Sequence, residues 1–386
     1  MIEMAPPKRN FFVPLESLRG LAALLVVIFH IRWITPFTDL NFIRNGYLMV
    51  DFFFLLSGFV IAYNYENRLG SLKEIGTFTV LRLGRLYPLH VFTLGLAVGL
   101  ECLRFIVESR LNVGAGDPAF GTNNLQAFLT NLTLTHSLGI NDSLTFNKPS
   151  WSISVELYTY LIFAFVCLVV SNRRLKGFAY ALISAAALVT LISLGRKSLE
   201  VHFDYGIVRG CLSFFLGGLC QLAYVWISSR NTDTNQTRSF QWPFGIALGL
   251  CVGLLCWKMP QGQFDYLVPL AAFFVVLFGA LVSRQGLTSF FFWKPIVYLG
   301  TISYSTYMNH YFFHWITKAV LMFGLKYKTT KLEKGVLVET DLLAGTVAMV
   351  FYLAAVLIFS HFTYRLIEEP LRNRTKAFVK RRAAAA

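Results

Sequence analysis

Charge is what this sequence has least of. Only 14% of its 386 residues are Asp, Glu, Lys or Arg, against 55% hydrophobic, where a soluble domain carries about 25% charged residues. So long a chain cannot cover itself with a hydrated surface on so little charge, which excludes a soluble globular protein. Acidic residues are the scarcer sign: 20 against 35 basic, a formal net charge of +15. Such an excess can mark a nucleic-acid binder, but that requires a basic patch on a soluble fold. Here the basic residues sit mainly in short segments between apolar runs, where membrane topology is written, so no nucleic-acid partner is expected. The six cysteines, Cys102, Cys167, Cys211, Cys220, Cys251 and Cys256, form no CxxC pair, and no Cys/His cluster has zinc spacing. They read as small buried apolar residues, and no metal is expected. The first apolar run, Leu21 to Ile34, has no small-residue cleavage site after it, so it is expected to be a retained span and not a removed leader. No internal repeat is found.

What the chain does have is long apolar runs, many near the ~20 residues that cross a bilayer. They predict an all-α, polytopic membrane protein of about ten transmembrane helices, near residues 13–34, 46–65, 86–107, 150–171, 177–194, 205–227, 243–258, 264–283, 295–323 and 341–366. An even number of spans puts both termini on one side. That side gathers Lys8, Arg9, Arg68, Lys73, Arg82, Arg85, the Arg173–Lys176 cluster, Arg230, Arg238, Arg284, Lys294 and the tail from Arg372 to Arg382. The other side holds fewer, chiefly Arg32, Arg44, Arg110, Lys148, Arg196, Lys197, Lys258 and Lys326 to Lys334. The positive-inside rule then makes both termini cytoplasmic. The longest stretch between spans, 108–149, contains Gly114, Gly116, Asp117, Pro118 and Gly121, then a semi-apolar piece from Leu125 to Leu134. It should lie on the outer face, as a partial lid or acceptor-binding segment in preference to disorder. No separate soluble domain is expected. A single membrane domain covers 1–382, and the alanines at 383–386 are set aside as an appended remnant.

Ionisable residues inside spans are costly and are functional candidates by default. Arg19 and His30, in the first span, are eleven residues apart. At 3.6 residues per turn they share one helix face, about 16 Å apart along the axis. Arg19 is otherwise an interfacial snorkelling anchor, and His30 otherwise a core histidine bonded to a neighbouring helix. Asp51, a turn inside the second span, either orients His30 or caps a neighbouring helix. Arg82 and Arg85 precede the third span, share a face on any helix there, and either grip phosphate bidentately or serve topology alone. Ser152, Glu156 and Tyr160 line one face of the fourth span, and Ser303, Tyr307, His310 and His314 one face of the ninth, where a wet or ligand-lined cavity is expected. His136 and His202 read as surface residues of outer loops.

At these residues the chain resembles the acyltransferase-3 family of integral membrane acyltransferases. The resemblance covers nearly the whole chain. It rests on Leu15-Glu-Ser-Leu-Arg19-Gly20 through Phe29-His30, Val50-Asp51-Phe-Phe with Leu56-Ser57-Gly58, Arg82-x-x-Arg85, Trp151-Ser-Ile-Ser-Val-Glu156, and Leu299-Gly-x-Ile-Ser303-Tyr304-Ser-x-Tyr307 ending in His310. Glu16 stands where many relatives have Asp. The resemblance implies an enzyme that takes an acyl group, commonly acetyl, from cytoplasmic acyl-CoA and places it on a hydroxyl of a glycan or secondary metabolite. It also implies a bacterial inner membrane. Arg82 and Arg85, with Arg19, would hold the donor phosphates. His30 would act as general base or form an acyl-histidine, oriented by Glu156 or Asp51. Ser303, Tyr304 or His310 would donate to the oxyanion, with Trp151 and Ser152 as further substrate contacts. The alternative from the residues alone is a proton-coupled transporter of a small solute or glycan precursor, with the same Arg, His, Asp and Glu as a relay. Transporters often carry repeats, and none is found here.

Overall fold

In the computed structural model, residues 12–111, 118–196, 198–230, 239–257, 265–332 and 335–384 are described. Lys8, Arg9, Gly114, Gly116, Asp117, Lys197, Arg238, Lys258 and Lys334, used in the sequence reading, lie outside them. The first half runs α1 (Val13–Phe29), α2 (Asn41–Arg44), α3 (Met49–Tyr65), α4 (Leu72–Leu111), α5 (Leu125–Leu132), α6 (Trp151–Val169) and α7 (Arg173–Ser193). The second half runs α8 (Gly206–Arg230), α9 (Gln241–Cys256), α10 (Leu267–Leu281), α11 (Lys294–Thr301), α12 (Ser303–Ala319), the strands β1 (Thr329–Leu332) and β2 (Gly335–Val338), then α13 (Leu342–Thr363) and α14 (Glu369–Ala384).

Every predicted span falls on a helix, because an apolar run in lipid must satisfy its backbone polar groups internally. Asn41–Tyr65, Leu72–Arg110, Lys148–Val169, Arg173–Ser193, Gly206–Arg230 and Leu342–Ala384 are helical stretches long and apolar enough to cross a membrane, with Gln241–Cys256 and Leu267–Leu281 as shorter apolar helices. α3 is an inner helix; α4, α7 and α13 present much of their surface outward. Phe165 of α6, Leu182 of α7, Trp226 of α8, Leu250 of α9, Phe274 of α10 and Phe351 of α13 are all exposed in the isolated chain, as a lipid-facing belt requires. Cys102 and Cys256 are likewise exposed and depart from the buried reading, while the other four cysteines are buried and all six are free.

Close helix approach is built on small residues. A Cβ on Gly58 would run into the Phe214 carbonyl, and one on Gly217 into the Leu55 carbonyl, so α3 and α8 cross at backbone contact. α1 and α11 meet in the same way, Gly300 lying against the Glu16 carbonyl and Gly20 against the Gly300 amide.

The structure differs from the expected spans in four places. α4 is one continuous helix of 40 residues, about 60 Å at 1.5 Å per residue, and so carries Arg82 and Arg85 on a rigid extension of the third span. The ninth span is two helices, interrupted at Ile302 (φ −91°, ψ 5°). Among the described residues the fold is all-α except for β1 and β2, paired antiparallel with Thr329 opposite Val338. The pair is tied to the chain after α1, where the Val338 amide donates to the Arg32 carbonyl at 2.9 Å. Finally, His136 is no surface residue: it is 4% exposed, bonds Ser150 Oγ at 3.2 Å and stacks on His90 at 5.9 Å. Polar groups of 118–150 pack inward here, and the Asn131 amide donates to Thr145 Oγ1 at 2.7 Å.

Candidate functional site

The break between α11 and α12 gives Arg19 its position. A helix end leaves carbonyls without intrahelical partners. Arg19, nearly two turns into α1, donates from Nη2 to the Gly300 carbonyl at 2.7 Å and from Nε to Ser303 Oγ at 2.8 Å. Its Nη2 also lies 2.6 Å from Glu16 Oε1. The guanidinium is thus locked at the crossing rather than snorkelling, and faces two adjoining cavities.

The first cavity, about 360 Å³, lies at the face that holds the start of α1, the start of α4 and α14. Its cations are Arg19, Arg82, Arg85, Arg372 and Lys376, with Glu16 and Glu368 between them. Arg82 donates to the Tyr65 hydroxyl at 2.9 Å, and its guanidinium lies over the Tyr65 ring at 5.1 Å. Its Nε is buried without a partner among the described residues, as is the Nε of Arg372. Glu368 accepts from Ser305 Oγ at 2.8 Å and stands 3.8 Å from Arg372. Glu368, Arg372 and Lys376, spaced by four, form one face of the chain from the end of α13 into α14. The sequence reading treated this tail as a topology signal only; the i, i+4, i+8 spacing was the signal available.

The second cavity, about 100 Å³, continues inward and shares Arg19, Arg85, Leu56, Val60 and Ile61 with the first. Its polar wall is Ser57, Glu156, Tyr160, Ser152, Ser303, Tyr304 and Tyr307. Glu156 accepts from Ser57 Oγ at 2.8 Å and from the Tyr160 hydroxyl. Ser152 donates to the Tyr307 hydroxyl at 2.9 Å.

The third cavity, about 700 Å³, lies beyond, sharing Val50 and Tyr307 with the second, and contains His30, Trp151 and His314 in its wall. His30 caps α1, and its Nδ1 is 2.8 Å from the Val26 carbonyl. A carbonyl can only accept, so Nδ1 carries the proton and Nε2 keeps its lone pair, the tautomer a base requires. Behind it stands the His310 ring, centroid to centroid 4.7 Å. His310 Nδ1 faces the Tyr307 carbonyl at 2.6 Å, while its Nε2 is buried and unpartnered.

Several expected roles change with this geometry. Neither carboxylate orients His30; the Val26 carbonyl does. Asp51 is fully buried and held by Arg209, Nη2 to Oδ2 2.6 Å, with Ser213 Oγ at 3.0 Å. Arg209 also bonds the Tyr47 carbonyl at 3.0 Å and lies over the Trp151 ring at 5.3 Å, so Trp151 is the face of an ion-pair pocket as well as a cavity wall. Arg209 is an ionisable residue in the sixth predicted span that the sequence reading passed over, and its position in an apolar run was the signal. Glu156 belongs with Arg19 and Arg85 and not with the imidazole. Tyr304 spends its hydroxyl proton on the Leu86 carbonyl at 2.6 Å, and the proton of His310 faces a carbonyl, so neither is arranged as an oxyanion donor. Ser303 accepts from Arg19 and keeps its own proton to give. His202 is part-buried edge-on to Trp151, centroids 5.0 Å apart. Among the described residues no group of three or more His, Cys, Asp or Glu is arranged to hold a metal ion.

Comparison with known proteins places this arrangement in context. A family model described as an acyltransferase domain matches residues 13–365. The chain is 24% identical to the peptidoglycan O-acetyltransferase OatA of Listeria monocytogenes over 95% of its own length and 56% of that protein's. It is 22% identical to the O-acetyltransferase OatA of Staphylococcus aureus over 94% of its length and 58% of that protein's. It is 30% identical to the acyltransferase MdmB of Streptomyces mycarofaciens over 41% of its length and 40% of that protein's. The chain therefore spans little more than half of either OatA. No solved structure matches it.

Proposed function

Because the chain belongs to the acyltransferase-domain family, we propose that it moves an acyl group, most simply acetyl, from acyl-CoA to a hydroxyl of a glycan or similar acceptor. The face holding the first cavity is then cytoplasmic, with both termini, and the membrane is a bacterial inner membrane. The observation that carries the reading is the series of three adjoining cavities from an arginine cluster to the lone pair of His30.

The first cavity fits a polyphosphate. Its cations exceed its carboxylates, and two buried guanidinium Nε atoms lack partners. Arg82, Arg85 and Arg372 would bind phosphate through charge-assisted bonds, with Lys376 as a point charge. Glu368 holds Arg372 at 3.8 Å, and Glu156 shares the wall of the second cavity with Arg85. The bound donor supplies the acyl group as a thioester. The second cavity, narrow and mixed in polarity, guides the arm that carries it. Arg19 to His30 spans about 16 Å along α1. His30 Nε2 takes the proton of the acceptor hydroxyl as its oxygen bonds the acyl carbon. The C–S bond breaks, and the imidazolium returns the proton to the leaving thiolate.

The test is acetyl-CoA turnover by purified protein, read as free CoA thiol. The His30→Ala variant should lose at least ~10²-fold with an unchanged melting temperature, and Arg82→Ala with Arg85→Ala should raise the donor KM. Undiminished turnover by His30→Ala overturns the assignment.

A further inference from the structure

The third cavity collects more positive charge than the protein neutralises. Arg32, Lys148, Arg196, Arg209 and Lys318 line it, against Glu200 and Asp204. Two of these cations are committed, Arg209 to Asp51 and Arg196 to Asp204 at 2.9 Å. The other three are in no salt bridge with a carboxylate of the described residues, and Glu200 offsets only part of the Arg32 charge. Arg32 donates to the Phe29 carbonyl at 3.3 Å and lies over the Phe29 ring at 5.5 Å. Neither Lys148 nor Lys318 is in a salt bridge to a carboxylate of the described residues, and Lys318 stands in the repulsive field of both Lys148 and Arg32. These cations come from three separate elements. Arg32 follows α1, its carbonyl pinned by β2; Lys148 opens the short turn before α6; Lys318 is in the last turn of α12. On the proposed orientation they lie on the outer face, where the positive-inside rule asks for no cations. Like charges converging on a partly dehydrated space repel, and an entering anion relieves that repulsion.

We propose that this cavity receives the acceptor by an anionic group, a carboxylate or a phosphate, carried on the same molecule as the reacting hydroxyl, with Arg32, Lys148 and Lys318 as the residues that select it. The inference rests on the acyl-transfer reading of His30, which shares the cavity with them. Arg32 and Lys148 also project positive field onto His30, so the anion binds close to the base.

The experiment compares three probes with the purified full chain at low ionic strength: a neutral disaccharide, its analogue with one sugar oxidised to the uronate, and the phosphate monoester of the neutral disaccharide. Binding is read by tryptophan fluorescence and, in the same samples, CoA release from acetyl-CoA. At least one charged probe should bind tenfold or more tighter than the neutral parent, and the preference should fall with added salt. Which charged probe is favoured separates a carboxylate acceptor from a phosphate one. Arg32→Gln, Lys148→Gln and Lys318→Gln should each cut the preference several-fold, and together abolish it. Lys148→Arg and Lys318→Arg should keep it, which separates lost charge from lost fold. Equal binding of charged and neutral probes, binding of none, or an undiminished preference in the triple variant overturns the proposal. Charged preference with no CoA release overturns the acyl-transfer reading alone. CoA release driven equally well by the neutral parent overturns this inference alone.

Discussion

Asp51 and Glu156 look alike in the sequence, each a single carboxylate near the start of an apolar helix, and the structure uses them in opposite ways. Asp51 is sealed by Arg209 and Ser213 with no exposed surface. Glu156 lines a cavity and shares it with Arg19 and Arg85. Only a few residues separate the two environments: Ser57, on the same helix as Asp51, is already a ligand of Glu156. A charge buried in a membrane span therefore marks a site only if something is left for a substrate to meet. The Asp51–Arg209 pair joins α3 to α8 and is sealed on both sides, whereas the cavity of Glu156 opens into the first cavity, where Arg82 and Arg372 keep unpartnered guanidinium nitrogen among the described residues.

The sharpest way to break this comparison is at Arg209. Arg209→Met leaves Asp51 charged and alone, which should cost about 3–5 kcal/mol of stability, read as a large fall in melting temperature in detergent. Adding Asp51→Leu should restore most of it, since a buried pair replaced by apolar side chains is often neutral. If the double variant melts normally yet cannot turn over acetyl-CoA, Asp51 is catalytic and the contrast fails. Glu156→Gln should do the reverse. Its neighbours are hydroxyls that a carboxamide can still meet, so melting should move by no more than about 1 kcal/mol. Turnover should fall as much as ~10²-fold through lost negative charge and a reshaped wall in the cavity that Glu156 shares with Arg19 and Arg85. A rise in donor KM fits that route; an altered pH profile with unchanged KM would assign Glu156 to the imidazole instead.

The span pattern was legible because each apolar run is its own signal. Arg19 and His30 on one face were legible because helical spacing is local. What was not legible is long-range. Nothing near Ile302 announces a helix break, because the compensation comes from Arg19, 281 residues from the Gly300 carbonyl it satisfies. Nothing near Asp51 names a partner 158 residues away. The orientation of His30 is not legible either, because its partner is the Val26 backbone carbonyl one turn back, which every residue type supplies alike. The mixed polarity of residues 72–85 hid that α4 carries straight on through the interface.

α14 supplies the finest test, because its cations are the ones sequence reasoning gave to topology alone. Arg372 is anchored by Glu368 at 3.8 Å and by the Tyr364 hydroxyl at 3.4 Å. Glu368 is in turn fixed by Ser305 of α12, so the face it presents to the first cavity is held from two helices. α14 packs along the start of α4, where Gly84 admits Thr375, which brings Arg372 and Lys376 round to the side of Arg82 and Arg85. If they contact the donor, Arg372→Gln and Lys376→Gln should each raise the donor KM roughly threefold to fivefold, the range of about 1 kcal/mol for a half-exposed ion pair, and leave kcat unchanged. The effect should shrink as salt rises. Arg381→Gln, on the same helix but outside that cavity, should change the KM little. Equal effects from Arg372→Gln and Arg381→Gln would mean that α14 acts through overall charge at the membrane surface, and the donor site would end at α4.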